Sequence, residues 1–163
     1  AVIEGKHVKD IGVRQLQEKL LDDGCYIMPY LDLRPSDRHF KAIQRIGATG
    51  ILRGEGRNVG WANQTWFRVD DELLAEDIYT AGYYNTALPF VKGPIKIGEF
   101  ANMLRTMGVH LPATLGEWWS GLGLSDYDYD RNITRLEAAV VVDSTIDPFN
   151  LLNVDYNGDF CRF

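Results

Sequence analysis

The sequence is poor in the residues from which metal centres and nucleophilic active sites are usually built. It contains two cysteines and three histidines in 163 residues, and His7, His39 and His110 belong to no metal-ligand or nucleophile motif. Cations are also in deficit, with 17 Lys and Arg against 23 Asp and Glu. Nucleic-acid binding is therefore disfavoured, because that affinity comes mainly from clustered cations. No apolar run approaches the roughly 18 residues that a membrane-spanning helix needs.

The two cysteines, Cys25 and Cys161, leave two states open. In an exported protein they could pair across most of the chain, and otherwise both remain free thiols. The sequence favours two free, buried thiols.

The length and composition are those of one folded domain. Hydrophobic residues make up 45% and charged residues 25% of the chain, which are ordinary values for a globular protein. A chain of this length can bury one core. We expect a single domain over residues 1–163, and the missing initiator methionine suggests that it was excised from a larger protein.

The strongest local signal is a capping box at the start of the last helix. Thr134 can accept a hydrogen bond from the N–H of Glu137, whose carboxylate can accept one from the N–H of Thr134. Residues 138–142 are apolar on nearly every face, so this helix is expected to be buried almost all round. Thr114 and Glu117 have the same spacing and predict a second capping box.

Two upstream segments share the pattern of this helix start. Ile95 and Glu99 repeat the offset of Ile133 and Glu137, and Val69 is followed by a strong N-cap residue. Insertions in the connecting loops would explain the uneven spacing of the three starts. Three degenerate repeat-like units are expected, at residues 36–82, 83–108 and 114–147.

Apolar residues at helical spacing predict the other helices. These begin near Val13, Pro35, Asp70, Ile97 and Leu115, with the capped helix as the sixth. The short stretches 51–52 and 66–69 flank a glycine-rich segment and are expected to pair as a ribbon. The fold class is thus mainly α, with about six helices in a pseudo-repeat bundle and one short β-ribbon.

The segment Ile133-Thr134-Arg135-Leu136-Glu137 resembles the I-T-R-x-E opening of the second helix in the S-layer homology (SLH) module. Residues 94–100 resemble it without the threonine and arginine, and residues 42–54 followed by Phe67 resemble the first half of such a repeat. The resemblance implies an SLH-like helical bundle. In that family the arginine helps to bind an acidic cell-wall polysaccharide, and only Arg135 matches it here.

Residues 10–24 and 46–56 are similar to the C-terminal region of bacterial FAD-dependent oxidoreductases, some of which carry the label xanthan lyase. This resemblance implies a non-catalytic C-terminal accessory module that docks on its parent enzyme or on a cell-surface glycan. It also implies an exported parent, with FAD bound upstream and no cofactor in this segment. The alternative is a catalytic fragment of a lyase that acts on acidic polysaccharide.

The segment from Gly54 to Gly60 has glycines spaced as in a dinucleotide-binding fingerprint. That motif works because bare backbone approaches a pyrophosphate at a helix N-terminus. Residues 61–67, which follow, have neither a helical cap nor a helical period. A glycine-rich loop is therefore expected here instead of a nucleotide site.

An acidic segment before the last helix has the spacing of an EF-hand calcium loop. The ligands in this interpretation are Asp126, Asp128, Asp130 and Glu137. The sixth position of the loop should be glycine but is Arg131, and Glu137 is also required by the capping box. A solvated acidic loop is favoured, with calcium as the alternative.

Four tryptophans are many for this length, and exposed aromatic rings can form platforms for sugars. Trp66 and one of Trp118 and Trp119 are expected in the core. The candidate glycan-binding or partner-binding residues are Trp61, Arg53, Arg57 and Arg135.

No catalytic residue is assigned. A lyase needs a base to take a proton next to a carboxylate, and cationic groups to stabilise the charge that develops. Tyr83, Tyr84 and His110 have suitable side chains, but no motif joins them. We therefore expect this chain to be non-catalytic and its parent to be an oxidoreductase or a lyase.

Overall fold

The computed structural model describes residues 2–3, 6–7, 13–26, 28–59, 62–78, 92–148, 152–154 and 160–162. Within these ranges the chain is mainly helical, as predicted. Its α-helices are α1 (Val13–Asp22), α2 (Phe40–Thr49), α3 (Ile97–Thr106), α4 (Leu115–Gly121) and α5 (Arg135–Thr145). None of these described helices has the length and apolarity needed to cross a bilayer.

Three antiparallel ribbons accompany the helices. They pair β1 (Val2–Ile3) with β2 (Lys6–His7), β3 (Glu55–Val59) with β4 (Ala62–Trp66), and β5 (Leu152–Val154) with β6 (Phe160–Arg162). One ribbon was expected from the sequence, so the first and last are additional.

The central helix is α5, which packs against α2. Residues 137–143 are all buried, so the prediction of a helix buried almost all round is confirmed. Its capping box is formed: Glu137 N–H donates to Thr134 Oγ1 at 3.2 Å, and Thr134 N–H donates to Glu137 Oε1 at 2.9 Å.

The other predicted helix starts are capped less completely. In α3 the Lys96 N–H donates to Glu99 Oε2 at 3.0 Å, which is half of a capping box because a lysine side chain has no acceptor. In α4 Thr114 is the N-cap residue, but the described side chain makes no capping hydrogen bond. The capping box predicted for Thr114 and Glu117 is therefore not completed.

Three short segments, residues 71–75, 93–97 and 131–135, join end to end into a closed ring. Each segment is centred on a buried aliphatic residue. The backbone N–H two positions after this central residue donates to a carbonyl of the next segment, two positions before that segment's own central residue. These bonds run from Ala75 to Gly93 (2.9 Å), from Ile97 to Arg131 (2.8 Å) and from Arg135 to Asp71 (2.9 Å). We call this arrangement the three-segment ring.

The buried residues at the centre of the ring are Leu73, Ile95 and Ile133, each at most 1% exposed. Leu73 N–H donates to Ile133 O at 2.9 Å, and Ile133 N–H donates to Ile95 O at 2.8 Å. Leu73 therefore occupies the position that the sequence pattern assigned to Val69. Val69 lies outside the ring and is only partly buried.

This register also corrects the helix expected after Asp70. In the described part of that segment the chain forms the ring strand and then a single 3₁₀ turn, Ala75–Asp77. Leu74 pairs with Pro94, and Ile78 pairs with Leu52. The backbone of this segment thus pairs with distant segments and does not form the hydrogen bonds from residue i to residue i−4 that define an α-helix.

Residues 55–59 of the glycine-rich segment form strand β3 and not a loop. Glu55 pairs with Trp66 and Val59 with Ala62. The ribbon is therefore formed by residues 55–59 and 62–66, and not by the predicted 51–52 and 66–69. A strand followed by a second antiparallel strand lacks the helix N-terminus that a dinucleotide fingerprint requires.

Helix α1 is attached to the body through charged groups. Arg14 Nη1 donates to Asp147 Oδ1 at 2.8 Å, and Arg45 Nη1 donates to Glu18 Oε1 at 3.1 Å. Burial acts to lower the pKa of Arg14, but its contacts with Asp143 and Asp147 outweigh this and raise it. After the helix, Cys25 is a free and exposed thiol, which corrects the expectation that it is buried.

Candidate functional site

A polar cleft of about 610 Å³ borders the three-segment ring. It is lined by Arg53, Gly54, Glu55, Arg68, Asp71, Glu72, Leu74, Asp77 and Arg135. Three of these residues are arginines and four are acidic. We call it the arginine cleft. Such a wall offers both donors and acceptors to a polar ligand.

Arg135 is the innermost arginine and is held by the protein itself. Its side chain is 7% exposed. Nε donates to Phe67 O at 2.8 Å, Nη2 donates to Arg53 O, and Nη1 donates to Asp77 Oδ2 at 3.3 Å. The guanidinium also lies 5.0 Å from the centroid of the Phe67 ring, within cation–π range. Arg135 therefore fixes the walls of the cleft to one another.

Arg68 has a strained backbone. Its φ of 61° lies in the left-handed region, which costs an L-residue about 1–2 kcal/mol. Asp32 holds this conformation, because its Oδ1 accepts from Phe67 N–H at 2.9 Å and its Oδ2 accepts from Arg68 N–H at 2.7 Å. The Arg68 side chain is 37% exposed and contacts Glu55.

A second cleft of about 390 Å³ shares Arg68 and Asp71 with the arginine cleft. Its other lining residues are Asp32, Trp66, Val69 and Asp70. Trp66 is only partly buried, which corrects the expectation that it is a core residue. Arg68 thus lies between the arginine cleft and a cleft lined by Trp66 and three aspartates.

The predicted glycan-binding residues fall into different settings. Arg53 is exposed and lines the arginine cleft, whereas Arg135 lines it but is buried. The backbone of Arg57 is in β3, but its side chain is not among the described groups. Trp61 lies outside the described residues. Only two of the four are thus placed, and they are in one cleft.

Sequence reasoning missed Arg68 and misplaced Trp66. The signal for Arg68 is its left-handed backbone, which depends on Asp32, 36 positions earlier. A local sequence pattern does not contain such a long-range contact.

The acidic loop is organised around Arg131. Its two terminal nitrogens donate to the two oxygens of Glu137 at 2.9 and 2.7 Å, and its Nε donates to Asp126 O at 3.0 Å. The hydrogen bonds to Glu137 raise the pKa of Arg131. Asp128 Oδ1 accepts from the N–H of Asp130 at 2.9 Å. Within the described residues no three acidic, His or Cys side chains group as a metal site.

Of the three groups considered for catalysis, His110 is the one among the described residues. Tyr83 and Tyr84 lie outside the described residues, and the side chain of His7 is also not described. His110 is exposed and lines a different cleft. His39 is partly buried, and its burial lowers its pKa. Among the described residues, neither Tyr nor His lines the arginine cleft.

Trp119 is the inward-facing member of the tryptophan pair, as expected for one of the two. It is 1% exposed, and its Nε1–H donates to Ser125 O at 2.8 Å. Trp118 is partly buried.

No protein-family model, curated protein or solved structure matches this chain. The resemblances to the SLH module and to the oxidoreductase C-terminal region therefore rest on the residues quoted for them.

Proposed function

We propose that this chain is a non-catalytic interaction module that binds a saccharide in the arginine cleft. In this proposal it is an accessory C-terminal part of an exported, FAD-dependent oxidoreductase-like protein, and it holds that parent on a cell-surface glycan. FAD belongs to the upstream part of the parent.

The observation that carries the proposal is the backbone of Arg68. A non-glycine residue held at positive φ is costly, and such residues concentrate at ligand sites where the surrounding structure over-determines them. Here both carboxylate oxygens of Asp32 accept hydrogen bonds from the backbone at Phe67 and Arg68, which fixes the left-handed conformation of Arg68. The result is a partly exposed guanidinium at the junction of two clefts.

The chemistry of the cleft suits a saccharide. Guanidinium and carboxylate groups make charge-assisted hydrogen bonds, the stronger class, and a saccharide offers hydroxyl groups to both. Trp66, in the adjoining cleft, offers an aromatic face to the apolar side of a sugar ring. Arg135 acts mainly by positioning, because it is buried and three of its five N–H donors are already bound to Phe67, Arg53 and Asp77.

The test is binding of the chain to an array of acidic and neutral bacterial saccharides. The variant is Arg68→Gly, which removes the guanidinium and suits a left-handed backbone. We expect it to weaken retention of a bound saccharide by about tenfold or more, since a hydrogen bond to a charged group is worth about 1.5–3 kcal/mol.

The matched control is Arg34→Ala, which removes an exposed arginine that lines neither cleft. This variant should bind like the unmodified chain. The proposal fails if the folded chain retains no saccharide, or if Arg68→Gly binds as well as the control. If the chain retains no saccharide but binds the other domains of its parent, docking on the parent is supported instead.

A further inference from the structure

A third cleft, of about 530 Å³, lies at the opposite ends of α3 and α5 from the three-segment ring. It is lined by Met107, Gly108, Val109, His110, Pro112, Trp118, Ser144 and Thr145. We call it the indole cleft. Its volume is within the range of small-molecule sites, about 300–1,000 Å³.

The walls of the indole cleft are set by local structure. Gly108 has a φ of +89°, a conformation that glycine adopts at no steric cost. It turns the chain so that Val109 N–H donates to Leu104 O at 2.9 Å. The Trp118 ring lies edge-on to the buried Trp119, with 6.3 Å between centroids. The indole is thus supported from behind by the core.

The chemistry of this cleft differs from that of the arginine cleft. None of its described lining residues is Asp, Glu, Lys or Arg, whereas the arginine cleft contains seven such residues. A charged ligand would lose hydration here without gaining a counter-charge, which is unfavourable. A neutral ligand does not bear that cost.

The lining groups also suit a ring with one apolar face and a polar edge. Trp118 supplies an aromatic face, while Ser144 and His110 are exposed polar groups. Thr145 Oγ1 donates its proton to Val141 O at 2.7 Å, which leaves its oxygen as an acceptor. A neutral pyranose has the C–H face and the hydroxyl edge that match these groups.

We propose that the indole cleft is a binding site for a neutral saccharide, with the sugar ring stacked on Trp118. This site is separate from the arginine cleft. It does not depend on whether the arginine cleft binds a saccharide.

The test is a titration of the full chain with cellohexaose, maltohexaose and chitohexaose. Binding is monitored by tryptophan fluorescence and by the chemical shifts of the ¹⁵N-labelled amides in NMR spectra. At least one of these should bind saturably and shift the amides around Trp118 and Ser144. Trp118→Ala should weaken this binding about tenfold, the effect of losing an aromatic stacking contact together with its buried area.

Two further variants keep the test valid if Trp118→Ala perturbs folding. Ser144→Arg changes an exposed residue, so it should fold normally while filling and charging the cleft, and it should abolish binding. Tyr26→Ala removes an aromatic ring that is 50% exposed and lines none of the three clefts. It should bind like the unmodified chain.

The outcomes separate this site from the arginine cleft and from an apolar docking surface. Loss of neutral-sugar binding in Trp118→Ala and Ser144→Arg, but not in Arg68→Gly, supports the proposal. It is overturned if none of the three oligosaccharides binds, or if binding survives both changes. Displaceable binding of the apolar dye ANS at Trp118 without saccharide binding would also overturn it.

Discussion

Arg45 and Asp143 form a buried, two-pronged ion pair between α2 and α5. Arg45 Nε and Nη2 each lie 2.7 Å from one oxygen of the Asp143 carboxylate. The two side chains are 5% and 6% exposed. Arg14 of α1 donates to the same carboxylate at 3.2 Å, so this one acidic group joins three helices.

We predict that Arg45→Met lowers the free energy of unfolding by about 3 kcal/mol, because it leaves Asp143 buried with fewer partners. Adding Asp143→Leu should restore part of the loss, since an apolar pair avoids the desolvation cost, while Arg14 loses its hydrogen bonds to this carboxylate. Urea denaturation measures both effects. The exposed Arg105→Met is the control and should change little. If Arg45→Met alone is as stable as this control, the ion pair does not stabilise the fold as we predict.

We predict that Arg135→Lys destabilises the chain by about 2 kcal/mol, because one ammonium group cannot serve the carbonyls of Phe67 and Arg53 in the fixed geometry of a guanidinium. Thermal and urea unfolding measure the loss, with Arg105→Lys as the control. Unchanged stability together with lost saccharide binding would instead make Arg135 a direct ligand contact.

We predict that Gly98→Ala displaces the ring of Tyr129 and destabilises the chain by no more than about 1 kcal/mol, because this ring is 47% exposed and can move away and alanine favours a helix over glycine by about 1 kcal/mol. A Cβ at this position would overlap the ring of Tyr129, whose hydroxyl accepts from Asn102 Nδ2 at 3.1 Å. Tyr129→Ala should suppress the effect, so a double-mutant cycle measures the coupling between the two positions. Additive effects would show that the ring does not restrict Gly98.

We predict that Tyr30→Phe stabilises the chain, and does so more at alkaline pH. The Tyr30 hydroxyl is buried and has no hydrogen-bond partner in the described structure. Burial raises its pKa to about 12 from an ordinary 10.0, with Asp32 adding to the rise and Arg135 opposing it. The folded chain holds this proton more tightly than the unfolded chain does. The contribution of the protonated Tyr30 to the free energy of unfolding is therefore fully present below about pH 10 and is lost as the pH rises towards 12.

Urea midpoints of both chains between pH 8 and 11.5 check this prediction. The difference between Tyr30→Phe and the unmodified chain should widen above pH 10. Other tyrosines are common to both chains, so their titration cancels in the difference. A constant difference across this range would contradict a raised pKa for Tyr30.

Features that depend on a few adjacent residues were predictable from the sequence. The capping box of Thr134 and Glu137 and the buried face of α5 involve contacts over a few positions, and both are confirmed.

Features that depend on distant pairings were not predictable. Leu73 rather than Val69 enters the three-segment ring because its amide binds Ile133 O, a partner that no local pattern identifies. The same holds for the site. Arg68 owes its conformation to Asp32. The match of Arg135 to a sugar-binding arginine did not reveal that three of its N–H donors bind the protein itself.

We infer that the three-segment ring, which borders the arginine cleft, is among the most stable parts of the fold. Amide hydrogen exchange of the intact chain, resolved by residue, tests it most directly. The amides of Leu73, Ala75, Ile97, Ile133 and Arg135 should be among the slowest, exchanging only through global unfolding. Exchange of these amides at the rate of exposed loop residues, while α5 stays protected, would contradict the account.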